Sequence, residues 1–205
     1  MDLNQEIIDH LEGSGVLRTP RIKKALFENP REFFVRAEDK RFAYEDTPLP
    51  IGYSQTISQP TTVVFMLELL ALEKGMKVLE IGTGSGWQTA ILAFIIGKEG
   101  QVFSFEIIKQ LSDFALKNLQ NYKYSNITLY SYDFEKEIEK IKPFDRIVSG
   151  AAFTEIPQSL KSALKIGGKL VAPTGDYDVR VITKIDVNKY KEDIFPGFVF
   201  VPITH

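Results

Sequence analysis

Apolar residues recur at helical spacing from the start of the chain: Leu3, Ile7, Ile8 and Leu11 predict a helix over about 3–12, which Gly13-Ser14-Gly15 stops. A second short helix is expected next. Thr19 offers a capping hydroxyl, Pro20 takes the first helical position, and Ile22, Ala25, Leu26 and Phe27 form an apolar face ended by Asn29-Pro30. Residues 37–58 have little periodicity but many turn formers and aromatics, including Phe42, Tyr44, Pro48, Pro50, Gly52 and Tyr53. Long irregular stretches of this kind are often functional loops. A longer helix is predicted over 59–72, with Val63, Val64, Met66, Leu67, Leu70 and Ala71 inward and Lys74-Gly75-Met76 closing it.

The pattern then changes to apolar strands alternating with helices. Strands are expected near 77–81, 101–105, 127–130, 146–149 and 169–173, and helices near 88–96, 108–120 and 157–164. Such βαβ units predict a mainly parallel sheet. Beyond Gly175, the runs 179–187 and 198–203 read as strands joined without a helix, hence antiparallel at the sheet edge. The expected architecture is one α/β domain with a Rossmann-like, doubly wound sheet. Residues 1–75 form an N-terminal helical extension and loop, 76–175 the core, and 176–205 the antiparallel C-terminal edge strands.

Candidate chemistry begins at Val78-Leu79-Glu80-Ile81-Gly82-Thr83-Gly84-Ser85-Gly86, a strand entering a glycine-rich turn and then an apolar helix. Glycines let backbone approach a ligand closely, and the helix N-terminus offers free N–H groups. A dinucleotide fingerprint G-x-G-x-x-G would need a third glycine where Trp87 stands. The spacing here is G-x-G-x-G after an acidic strand residue, which resembles the binding motif of class I methyltransferases. That resemblance implies S-adenosyl-L-methionine as cofactor, held by Gly82, Thr83, Gly84, Ser85 and Gly86, with Glu80 near its methionine part. Glu106 ends the next strand, 24 residues after Gly82, where a carboxylate can accept hydrogen bonds from both ribose hydroxyls. A solvated strand-end glutamate is the other reading. Asp133 is placed to meet the adenine amine, or else simply starts a turn. Related enzymes usually have Gly-Asp-Gly there, and Tyr132 and Phe134 in this chain imply a narrower adenine pocket.

Pro50-Ile51-Gly52-Tyr53-Ser54-Gln55-Thr56-Ile57-Ser58-Gln59-Pro60 resembles the G-x-x-Q-T-I-S-x-P signature of protein-L-isoaspartate O-methyltransferases. Ala43-Tyr44-Glu45-Asp46-Thr47-Pro48-Leu49, Pro143-Phe144-Asp145-Arg146-Ile147, Glu155-Ile156-Pro157 and Gly167-Gly168-Lys169-Leu170-Val171 are similar to the same family. The resemblance covers most of the chain. It implies methyl transfer to the α-carboxylate of L-isoaspartyl residues in damaged proteins or peptides, a protein-repair reaction. It also implies Ser58 as the active-site residue, Gln55 and Thr56 beside it, and Thr204 on a late strand near the site. Locally, Ser58 reads as the N-cap of the helix it precedes. A methyltransferase relative with another acceptor, and a non-catalytic cofactor-binding relative that recognises damaged chains, are the competing readings.

Composition narrows the partners. The 205 residues contain 25 Lys+Arg and 27 Asp+Glu, a formal charge of -2, with the basic residues scattered rather than gathered into a stripe that could follow a phosphate backbone. Nucleic acid is therefore not an expected partner. Cysteine is absent, which excludes thiol nucleophiles, Cys-based zinc sites and disulfides and fits a reducing compartment. With no expected metal, no apolar run long enough for a span and an acidic, polar start, the sequence reads as soluble and cytoplasmic. Its two histidines, His10 and His205, lie near the termini.

Overall fold

The computed structural model describes residues 3–203. Two helices, α1 (Leu3–Gly13) and α2 (Pro20–Glu28), open the chain, followed by 3-10 turns at Arg31–Phe33 and Ala37–Phe42. A hairpin of β1 (Leu49–Gly52) and β2 (Gln55–Ile57) then leads into α3 (Pro60–Leu70). The core runs β3 (Lys77–Ile81), α4 (Trp87–Ile96), β4 (Gln101–Phe105), α5 (Lys109–Leu119), β5 (Ile127–Tyr130), α6 (Ile138–Ile141), β6 (Phe144–Ser149), α7 (Gln158–Ser162) and β7 (Leu164–Thr174). Strands β8 (Asp178–Asp186) and β9 (Lys189–Pro196) complete it.

The seven-stranded sheet has the order β5-β4-β3-β6-β7-β8-β9. Its first five strands are parallel, and β8 and β9 pair antiparallel at one end. Strand alternation sends Val78 into the layer shared with α1 to α5, and Leu79 and Ile81 into the layer of α6 and α7. Burial on both faces is why the central strands read as continuous apolar runs. Side chains such as Leu79, Ile91 and Leu92 are completely buried, each contributing roughly 1.5–3 kcal/mol. Helix α3 is apolar nearly all round because it is wedged between α2 and strands β6, β7 and β8.

Several expectations need correction. The last strand is Lys189–Pro196, whereas residues 198–203 run irregularly with a single bridge, Ala152 to Pro202. The charged residues Lys189, Lys191, Glu192 and Asp193 mask the apolar signal, and Pro196-Gly197 ends the strand before the apolar run begins. Strand β7 starts at Leu164, earlier than expected, and shortens the helix before it. Both local caps are displaced by remote carboxylates. Thr19 makes no side-chain cap; instead, Glu68 of α3 accepts the N–H groups of Arg18 and Thr19 and the Thr19 hydroxyl at 2.8, 2.8 and 2.9 Å. Gln59, not Ser58, is the N-cap residue of α3. Asp46 satisfies that end, accepting the Thr61 N–H at 2.9 Å and the Thr61 hydroxyl at 2.6 Å. No helix among the described residues is long and apolar enough to cross a membrane.

Candidate active site

The chain leaves β3 through Gly82, Thr83, Gly84, Ser85 and Gly86 and enters α4 at Trp87. Gly84 and Gly86 hold φ of +56° and +86°, in the left-handed region. A Cβ on Gly84 would come within 3.4 Å of Ile51 on the hairpin, and one on Gly86 within 3.2 Å of Leu119 on α5. Side chains there would crowd the loop from both sides.

Below the loop lies Glu80, which is wholly buried. Its carboxylate accepts hydrogen bonds from Gln88 Nε2 at 3.0 Å, the Thr89 hydroxyl at 2.5 Å and the Ser104 hydroxyl at 2.7 Å. Ser104 in turn lies 2.6 Å from the Thr83 hydroxyl. Burial pushes the Glu80 carboxyl up to about 7, against the opposing pull of its three hydrogen bonds. Glu80 thus ties β3, α4 and β4 together under the glycine loop and lines neither of the clefts above it.

The larger cleft, about 660 Å³ and open to solvent, runs from Gly82 past Glu106 to Asp133. Glu106 follows β4 with its carboxylate fixed at both oxygens: Oε2 accepts the Gly84 N–H and Oε1 the Ile108 N–H, each at 2.9 Å. Each oxygen has two lone pairs, so acceptor capacity remains for a ligand. Phe105 lines the cleft and stacks on Tyr130 with centroids 4.4 Å apart, with Tyr132 edge-on to it at 6.1 Å. Tyr132 and Phe134 both reach the wall. Asp133 stands between them and caps the following 3-10 turn through the Glu135 N–H at 3.0 Å.

The hairpin closes the site from above. Its turn residues Tyr53 and Ser54 both have positive φ, as a type I′ hairpin turn requires. Alternation along β2 sends Gln55 into the larger cleft and Thr56 into a smaller one of about 370 Å³, which Ser58, Thr83, Gly84 and Ser85 also line. Gly82 borders both clefts. Ser58 is half-buried, and its hydroxyl makes no hydrogen bond to another described residue. Thr204 lies outside the described residues, but Ile203 beside it lines the larger cleft, held by its N–H to Ala152 O at 2.9 Å.

Sequence reasoning missed the far wall. Gly150 and Ala151 follow β6 and face the glycine loop, with the Gly150 N–H on Ile81 O at 2.8 Å. Phe153 and Pro157 extend that wall. The available signal was topological: β3 and β6 are neighbours from which the chain winds in opposite directions, and ligands of open α/β sheets bind outside such a switch point.

A glycine loop under a preformed cleft at the switch point, with a clamped carboxylate at the end of the next strand, defines a Rossmann-like methyltransferase. Comparison with known proteins resolves the class further. The model of the protein-L-isoaspartate(D-aspartate) O-methyltransferase family matches residues 2–205, and the chain belongs to that family. The protein-L-isoaspartate O-methyltransferase of Pyrobaculum islandicum is 40% identical over 200 residues, covering 96% of this chain and 97% of the relative. That of Methanothermobacter thermautotrophicus is 38% identical over 207 residues, covering 99% and 95%. A Plasmodium falciparum crystal structure described as a beta-aspartate methyltransferase (PCMT) in complex with S-adenosyl-L-homocysteine superposes with a TM-score of 0.88 at 25% identity, covering 98% of each chain.

Proposed function

We propose that this protein transfers the methyl group of S-adenosyl-L-methionine to the α-carboxylate of L-isoaspartyl residues in damaged proteins, with Ser58 orienting the acceptor. One observation carries the reading: the Thr56-Ile57-Ser58 segment and the glycine loop face each other across the smaller cleft, which meets the larger one at Gly82. The larger cleft fits the nucleoside half of the cofactor. It offers the Glu106 carboxylate to ribose hydroxyls, Asp133 to an exocyclic amine, and apolar walls at Phe105, Tyr132, Phe134 and Ile203 to a purine. The smaller cleft, lined by Thr83, Gly84 and Ser85, suits the cofactor's methionine end beside the acceptor.

When bound, the cofactor supplies a methyl group on a positively charged sulfur. An α-carboxylate is already ionised at neutral pH, so no general base is needed. A carboxylate oxygen would receive that methyl group, and the methyl–sulfur electron pair would remain on the sulfur, leaving it neutral. The chain's task is placement. Ser58 has a free hydroxyl to donate to the second carboxylate oxygen, and Gln55 and Thr56 flank it on the two sides of β2. The methyl ester is a better electrophile than the carboxylate and its methoxy group can leave, so attack by the following backbone nitrogen expels methanol and gives a succinimide that hydrolyses in part to aspartate. A cysteine-free chain suits a reducing cytoplasm as the place of repair.

Labelled methyl transfer to an isoaspartyl peptide and its aspartyl twin tests the proposal. Base-labile label on the isoaspartyl peptide alone is the expected result. Label on neither peptide, with intact cofactor binding, would assign the fold to another acceptor or to binding without turnover.

A further inference from the structure

The most deeply buried cation among the described residues lines neither of the two clefts. Arg31 follows α2 and is only 2% exposed. Among the described residues it makes no ion pair within 4 Å; the Asp46 carboxylate favours its charge but is committed to the start of α3. Burying an unpaired charge is costly unless dipoles replace the lost water. Here five backbone carbonyls do so at the two terminal nitrogens, while Nε has no hydrogen-bond partner among the described residues. Nη1 donates to Ala43 O at 2.9 Å and Glu45 O at 3.3 Å, and Nη2 to Thr47 O at 2.9 Å, Ile57 O at 3.3 Å and Ser58 O at 3.1 Å. The guanidinium carbon also lies 5.5 Å from the ring centroid of Trp87, the residue that follows the glycine loop.

The last two carbonyls matter most. In a planar trans peptide, C=O and N–H point in opposite directions. With the Ile57 and Ser58 carbonyls drawn toward Arg31, the N–H groups of Ser58 and Gln59 are turned away from it. Neither N–H donates to another described residue. Ser58 itself lines the smaller cleft.

We propose that Arg31 is a positioning residue for methyl transfer, fixing the Ile57-Ser58 and Ser58-Gln59 peptide planes so that the Ser58 hydroxyl and N–H are presented together to the acceptor carboxylate. This rests on the reading of the smaller cleft as the acceptor site. Lysine cannot substitute, because a compact ammonium lacks the rigid fork that spans carbonyls from Ala43 to Ser58.

Arg31→Lys and Arg31→Met in the full chain supply the test, read by isoaspartyl-peptide kinetics, S-adenosylhomocysteine calorimetry and amide nuclear magnetic resonance, with ligand-induced amide protection measured in the wild type. The expected result for Arg31→Lys is a folded protein whose cofactor-product affinity stays within about threefold of wild type while kcat falls at least about tenfold. The Ser58 and Gln59 amide resonances should shift or broaden as their peptide planes lose the Arg31 fork, and Arg31→Met should be worse on both counts. A variant that loses thermal stability but keeps wild-type kcat per folded molecule would overturn the proposal. Should neither variant fold, the wild type decides: isoaspartyl peptide with S-adenosylhomocysteine must protect the Ser58 amide, and absence of protection overturns it. A folded wild type that methylates no isoaspartyl peptide would sink the functional reading instead, and unchanged Ser58 and Gln59 amide resonances in Arg31→Lys would then separately sink the role of Arg31.

Discussion

Glu106 Oε2 accepts the backbone N–H of Gly84 at 2.9 Å, so the residue proposed to hold the ribose also pins the glycine loop. Removing it should therefore cost more than one ligand contact. Glu106→Ala is expected to weaken S-adenosylhomocysteine binding at least about tenfold, since hydrogen bonds to a charged acceptor contribute roughly 1.5–3 kcal/mol. Glu106→Gln should also bind worse, because its amide cannot accept from both Gly84 and Ile108. Calorimetry decides, and an unchanged dissociation constant would move the ribose contact elsewhere.

Ser58 and Asp46 separate catalysis from capping. With Asp46 rather than Ser58 satisfying the start of α3, Ser58→Ala should leave the unfolding midpoint nearly unchanged and lower turnover at least about tenfold. Asp46→Ala should show the opposite bias, losing about 1–2 kcal/mol of stability. A Ser58→Gly enzyme with wild-type turnover would remove the hydroxyl from the reaction.

Glu80 should imprint a pH dependence on stability. The folded protein keeps the proton up to about pH 7, whereas the unfolded chain releases it around 4.5, so between these values the folded state binds more protons. Stability from this group is then greatest below about 4.5, falls as pH rises to 7, and is flat above, a total of roughly 3 kcal/mol. Urea unfolding of wild type and Glu80→Gln at pH 5, 6, 7 and 8 measures it. A difference between the two that does not vary with pH would mean that Glu80 is ionised throughout.

Gly84→Val should abolish cofactor-product binding while leaving the circular dichroism spectrum native. A β-branched residue at φ +56°, with Ile51 3.4 Å from its Cβ, strains the loop and pushes the hairpin off the cleft. Wild-type affinity in this variant would show that the loop does not contact the ligand.

What could be read from the sequence follows from locality. Strands β3 and β4 were legible because burial on both faces writes an apolar run, and the glycine loop because its residues are consecutive. The hairpin was not, since its turn uses Tyr53-Ser54 instead of asparagine and glycine and depends on tertiary support. The caps by Asp46 and Glu68 join residues 15 and 49 positions apart, which no local pattern reports. Arg31 reads as an ordinary surface cation until its five carbonyl partners, contributed by residues 43–58, are seen around it.

Strand β9 is one of the two edges of the sheet, and Lys189, Lys191, Glu192 and Asp193 crowd it, with Lys191 paired to Asp193 at 3.0 Å and Glu192 to Arg180 at 3.4 Å. A repair enzyme works among chains that have come locally unfolded, and such chains add readily to any bare strand. A hydrophobic margin would gather them into aggregates, withdrawing the enzyme together with its clients. The charged border disfavours the docking of extended segments along this edge.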